Sequence, residues 1–127
     1  MSRGILDTSV LIASDLPPLP GELAISVISL AELHYGVLVA QSADARAVRL
    51  ARLSGLQQRF DPLPVDEAVA DSYGRLAART VGQGRQPRPR VMDLLIAATA
   101  HAHSASLYSL NAGDLRGLED LIDIIAV

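Results

Sequence analysis

Arg3-Gly4-Ile5-Leu6-Asp7-Thr8-Ser9-Val10-Leu11-Ile12 opens the chain with an apolar run, one acid, and a second apolar run. Residues 3–7 read as a first strand and 8–13 as a short helix. Such a junction is where an open α/β sheet presents groups at the carboxyl end of a strand. An unpaired acid beside apolar segments is costly, so Asp7 needs compensation.

Outward from this stretch, short apolar runs alternate with longer helical patterns. That alternation marks an α/β domain with a mostly parallel sheet. Residues 14–21, with three prolines, read as a loop. Leu23 to Val27 reads as a second strand. Ser29-Leu30-Ala31-Glu32 has capping-box spacing and predicts a helix from about Leu30 to Gln41. Asp44 to Arg59 is a helix with Arg46, Arg49 and Arg52 on a basic face opposite Val48, Leu50 and Leu53. Asp61-Pro62-Leu63-Pro64 allows only a short edge strand, because proline removes ladder donors.

Asp66 caps a helix to about Val81, residues 82–90 form a loop, and another helix runs from Val91 to His103. Ser106 to Ser109 and Ile122 to Ala126 are strands, separated by a turn or short helix over 111–117. No internal repeat is present, and residues 1–127 read as a single domain.

Composition bounds the rest. The 127 residues are 50% hydrophobic with one Phe and no Trp, so the core is built from Leu, Ile, Val and Ala. Mean hydropathy is positive, which hints at a surface covered by a partner. Without cysteine there is neither a disulfide nor a thiolate metal site. No apolar run reaches the roughly 18 residues of a membrane span, and Asp7 interrupts the only candidate leader. A cytoplasmic protein without a membrane partner is the expectation. The net charge of −3 argues against gripping nucleic acid by bulk positive charge. All 11 basic residues are nevertheless arginine, which suits bidentate phosphate contact.

Four acids carry the candidate chemistry: Asp7, Glu32, Asp93 and Asp114. Asp7 and Asp114 fall at or past strand ends, and Glu32 and Asp93 at the first turns of helices that follow loops. The topology thus gathers them at one end of the sheet. Two such charges ~5 Å apart repel by about 3 kcal/mol at an effective dielectric near 20, so protons or cations must intervene. An all-oxygen set suits Mg2+ or Mn2+. Each acid also has a structural reading: Glu32 as the N3 acid of its capping box, Asp93 as a helix-dipole acid, Asp114 as the cap of the short turn helix, and Asp7 as a turn acid after a strand. His34, His101 and His103 read as structural or surface groups. Arg85, Arg88 and Arg90 either contact an RNA backbone or line a solvated turn.

The chain resembles a PIN-domain ribonuclease, specifically a VapC toxin of a type II (VapBC) toxin–antitoxin pair. Residues 5–12, 25–33 with Tyr35-Gly36, 93–100, and Ser109 with Asn111 and Asp114 carry the likeness, while residues 40–90 add only helical pattern. Leu110 departs from it, since many relatives place a polar or basic residue there. The resemblance implies a three-layer α/β/α sandwich around a mostly parallel five-stranded sheet. It implies an Mg2+- or Mn2+-dependent endoribonuclease that cleaves RNA, often tRNA or rRNA, by metal-activated water. In that reading Asp7, Asp93 and Asp114 are metal ligands, Glu32 binds directly or through water, and Thr8, Ser9, Ser109 and Asn111 orient carboxylates. A homodimer silenced by a cognate VapB-like antitoxin is also implied. The rival reading is a catalytically inert PIN-like module that binds protein. A phosphotransfer domain fits poorly, because the chain has no lysine.

Overall fold

The computed structural model describes residues 3–13, 16 and 18–127. Part of the predicted loop 14–21, at positions 14, 15 and 17, lies outside the described residues. Strands β1 (Arg3–Leu6), β2 (Glu22–Ala24), β3 (Ser106–Ser109) and β4 (Ile124–Ala126) form one sheet in the order β2-β1-β3-β4. All three pairings are parallel. Helices α1 (Thr8–Ile12), α2 (Val27–Leu38), α3 (Ala43–Arg59), α4 (Glu67–Gly82) and α5 (Val91–Ala102) supply the crossovers and layers.

The pleat explains the layering, because successive strand side chains point to opposite faces. Ile5 and Leu107 join Val69, Leu76, Leu94 and Ile96 in a core against α4 and α5. Their neighbours Leu6 and Tyr108 face the other way and pack with Val10 and Ile25. A third cluster, Leu33, Val37, Leu53 and Leu56, joins α2 to α3. The result is the expected α/β/α sandwich with an aliphatic core.

Two expectations are corrected. Among the described residues the sheet has four strands, not five. Leu63 makes a single parallel bridge to Ser26, with Leu63 N donating to Ile25 O and Val27 N donating to Leu63 O, both at 2.9 Å. Pro62 and Pro64 on either side have no N–H, so the ladder stops after one rung. Helix α2 also starts three residues before Leu30. Ser26, not Ser29, is its N-cap, and its hydroxyl accepts from Ile28 N. Ser29 is buried inside the helix. The predicted strands over 23–27 and 122–126 are shorter than read, whereas β3 has the expected bounds.

Candidate active site at the carboxyl end of the sheet

Strand order reverses at β1, which has β2 on one side and β3 on the other. The crevice beyond the β1 and β3 carboxyl ends is therefore the topological switch point where α/β folds place ligands. Asp7 stands at the end of β1, and its N–H continues the ladder by donating to Tyr108 O at 3.1 Å. It is also the N-cap of α1, its carboxylate accepting from Val10 N at 3.2 Å. Ser9 donates a short hydrogen bond to the same Asp7 oxygen and accepts from Leu110 N at 3.0 Å. Ser9 thus ties Asp7 to the end of β3.

Thr8 does the corresponding work for Glu32, donating to Glu32 Oε1 at 2.6 Å with Ser29 Oγ 3.0 Å from its hydroxyl. Because α2 begins at Val27, Glu32 lies in the second helical turn. Glu32 is therefore not the acid of a capping box, and its contact is a side chain of another element. Asp93 is in the first turn of α5, as expected, without a side-chain cap bond at that helix start. Asp114 rides on a short 3-10 turn, Ala112–Leu115. Ser109 Oγ accepts from Asn111 N at 2.9 Å and shapes the entry into that turn.

Asp7, Asp93, Ser109, Asn111 and Asp114 line one small cavity of about 10 Å3, the free space of a single water-sized sphere. Glu32 and Thr8 line a separate, larger groove of about 610 Å3, together with Leu33, Val48, Arg49 and Arg52. Electrostatics bind the two regions together. The Asp93 carboxyl is raised above its ordinary value of 3.8 by partial burial first, then by repulsion from Glu32, Asp7 and Asp114 in that order, while Arg90 opposes the rise. As a residue Asp93 is exposed, so the shielding of its carboxyl is only partial. As the side chains stand, no three His, Cys, Asp or Glu groups among the described residues are close enough to hold one ion. The four acids form a convergent but open cluster.

The shift in Asp93 gives a stability prediction. A folded-state pKa raised above the unfolded value means that the folded chain binds more protons between those two values. The stabilising contribution is full below the ordinary value of 3.8 and is lost as pH rises through the raised one. At neutral pH the ionised group is a net cost, even though a helix N-terminus favours it by ~0.3–1 kcal/mol. In chelator, Asp93→Asn therefore melts higher than the parent at neutral pH, and the gap closes on acidification. Discounted for solvent screening, the gain is roughly 0.5 kcal/mol, or about 2 °C. A lower melting point for the variant at neutral pH would contradict the account.

The loop arginines divide. Arg85 and Arg90 each donate at 3.1 Å to a main-chain carbonyl, of Arg116 and Asp114 respectively, and Arg88 is exposed. Sequence reading missed the first two contacts, as it missed Ser26. His101 has a structural partner, its Nδ1 lying 2.7 Å from the buried Ser72 hydroxyl. Leu110, the departure from the family pattern, is exposed just past the end of β3.

A family model of the PIN domain matches residues 5–116. The chain belongs to the PIN-domain family. This PIN domain is 43% identical over 105 residues to Ribonuclease VapC5 of Mycobacterium tuberculosis, covering 78% of this chain and 76% of that protein. It is 33% identical over 131 residues to Ribonuclease VapC4 of the same organism, covering 98% and 97%. Among solved structures, VapBC-5 of M. tuberculosis, a member of the VapBC family of toxin–antitoxin systems, superposes with a TM-score of 0.84. It has 35% identity and full coverage of both chains. Among the described residues no helix of this PIN domain is long and apolar enough to cross a membrane.

Proposed function

We propose that this PIN domain is the toxin of a toxin–antitoxin pair, a metal-dependent endoribonuclease whose cognate antitoxin silences it. The observation that carries this reading is the convergence of Asp7, Glu32, Asp93 and Asp114 at the switch point of the sheet. Asp93 feels the other three as repulsion, with Arg90 the one opposing charge. A hard divalent cation relieves that repulsion, and an oxygen-only donor set suits Mg2+ or Mn2+. Asp7, Asp93 and Asp114, which share one small cavity, are the ligands in this reading. When bound, such an ion activates water and neutralises charge on a phosphodiester.

The chain's own residues do the rest. Ser9 fixes the rotamer of Asp7 and Thr8 that of Glu32, so two acids are oriented before a substrate arrives. Oriented supporting groups of this kind are typically worth about 10- to 100-fold in metal affinity or activity. Ser109 and Asn111 shape the turn that presents Asp114. Exposed Arg88, with the remaining donors of Arg85 and Arg90, supplies RNA-backbone contacts that position without reading bases. Tyr35, Leu38 and Val48 expose apolar surface near the groove, which suits a protein partner, here the antitoxin. In this reading the protein is a cytoplasmic homodimer, an expectation that the family likeness supports.

The test is cleavage of a mixed RNA pool, including tRNA and rRNA, by the purified chain. Cleavage is expected with Mg2+ or Mn2+, lost in chelator and regained when the ion is restored. Cleavage that persists unchanged in chelator sinks the metal reading. No cleavage with any divalent ion, and no growth arrest on expression, favours an inert binding module instead.

A further inference from the structure

Asp114 sits on a short turn whose one buried side chain is Leu115. The 3-10 turn Ala112–Leu115 is four residues long, and such turns have poor hydrogen-bond geometry. Beyond it the chain passes through successive turns and bends to β4.

The end of α4 and the loop after it reach across to this segment. Arg90 Nη1 donates to Asp114 O at 3.1 Å, Arg85 Nη1 to Arg116 O at 3.1 Å, and Gln83 Nε2 to Gly117 O at 2.9 Å. Three donors from residues 83–90 thus meet three carbonyls in residues 114–117. Arg79, at the end of α4, adds a paired contact to the Asp120 carboxylate at 2.6 and 2.8 Å. Gly117 has φ +92, and the Gln83 carboxamide fills the space a Cβ would take. Only glycine permits that approach.

The loop is itself anchored. Gly84 N donates to Val81 O and Arg85 N to Thr80 O, at 2.9 and 3.0 Å, while Arg90 N donates to Pro87 O at 2.9 Å. Pro87 and Pro89 fix two backbone dihedrals. A stiff loop with charged donors can restrain a soft turn.

We infer that residues 83–90 are a strap, and that Gln83, Arg85 and Arg90 are positioning residues that hold Asp114 toward Asp7 and Asp93. What Asp114 does when so held rests on the proposed metal-dependent function. The strap itself does not. Its contacts are to main-chain carbonyls, so it acts whatever side chains residues 114–116 carry, provided that 117 stays glycine for Gln83 to approach.

The test compares Arg85→Ala/Arg90→Ala with the parent and with Arg75→Ala, which removes only an exposed ion pair to Asp71 on α4. Two quantities are measured without RNA: Mn2+ affinity, and hydrogen exchange of the metal-free protein at residues 112–118. The strap predicts faster exchange there and Mn2+ binding weakened by about 10- to 100-fold, with Arg75→Ala like the parent. Arg90→Lys, which keeps a charged donor for the Asp114 carbonyl, retains part of the affinity that Arg90→Ala loses. Unchanged exchange in the double variant overturns the inference, as does unchanged Mn2+ affinity where the parent binds. A parent that binds no Mn2+ refutes the proposed metal site, and the exchange arm still decides the strap. Should the double variant fail to fold, Arg85→Ala alone carries the same comparison.

Discussion

Asp7→Asn lowers RNA cleavage by about 1000-fold while leaving the melting temperature within a few degrees of the parent. The magnitude follows from a lost metal ligand. An ion at a phosphodiester is worth several kcal/mol of transition-state stabilisation, and losing about 4 kcal/mol costs three orders of magnitude. The preserved fold follows from the other role of Asp7, as N-cap of α1. Asparagine is as good an N-cap as aspartate, and its oxygen can keep the bonds from Val10 N and the Ser9 hydroxyl. The substitution therefore removes charge and keeps geometry. Asp93→Asn is expected to match it in activity, with a rise in metal-free stability instead of neutrality. Undiminished cleavage by both pure variants in Mg2+ ends the assignment of these acids.

Glu32 has no part in starting its helix. Its capping-box spacing offered a structural reason that the folded chain removes, because Ser26 caps α2 and Glu32 lies in the second turn. It exerts the largest charge effect on Asp93, ahead of Asp7 and Asp114. Its bond from Thr8 crosses 24 positions of sequence, so no local pattern contains it.

The legible parts of this chain are those with local physical causes. Helix α3 and strand β3 came within a residue of their bounds, because periodicity and flanking turn residues are local signals. Asp7 and Asp93 were legible because each interrupts an apolar run. Ser26 was not, since it sits within Ile25-Ser26-Val27 and looks like the interior of a strand. Leu63 showed a strand pattern whose length only its two prolines limit. The contacts of Arg85 and Arg90 had no sequence signal, because a main-chain carbonyl looks the same beside any side chain. Their separations of 31 and 24 residues are set by the topology alone.

Gly4→Ala is expected to lower stability by about 2 kcal/mol, a fall of roughly 6–8 °C. Gly4 lies in β1 between β2 and β3, opposite Leu23 and Ser106. A methyl group there meets the Tyr108 ring, with Cε2 at 2.5 Å and Cδ2 at 3.0 Å, and Leu23 Cδ2 at 3.4 Å. Tyr108 is buried within the Leu6, Val10 and Ile25 cluster, so its ring has little room to retreat. Alanine's better backbone entropy offsets only ~0.5–1 kcal/mol of the overpacking. The same displacement reaches the site, because Asp7 N donates to Tyr108 O and Ser9 bonds the Leu110 amide two residues beyond Tyr108. Cleavage at a temperature where the variant is fully folded should therefore fall as well, through misplacement of Asp7. Gly4→Ala/Tyr108→Leu, which removes the ring, should recover part of the stability. If Gly4→Ala melts with the parent, the close fit of Tyr108 over β1 does not set the register that positions Asp7.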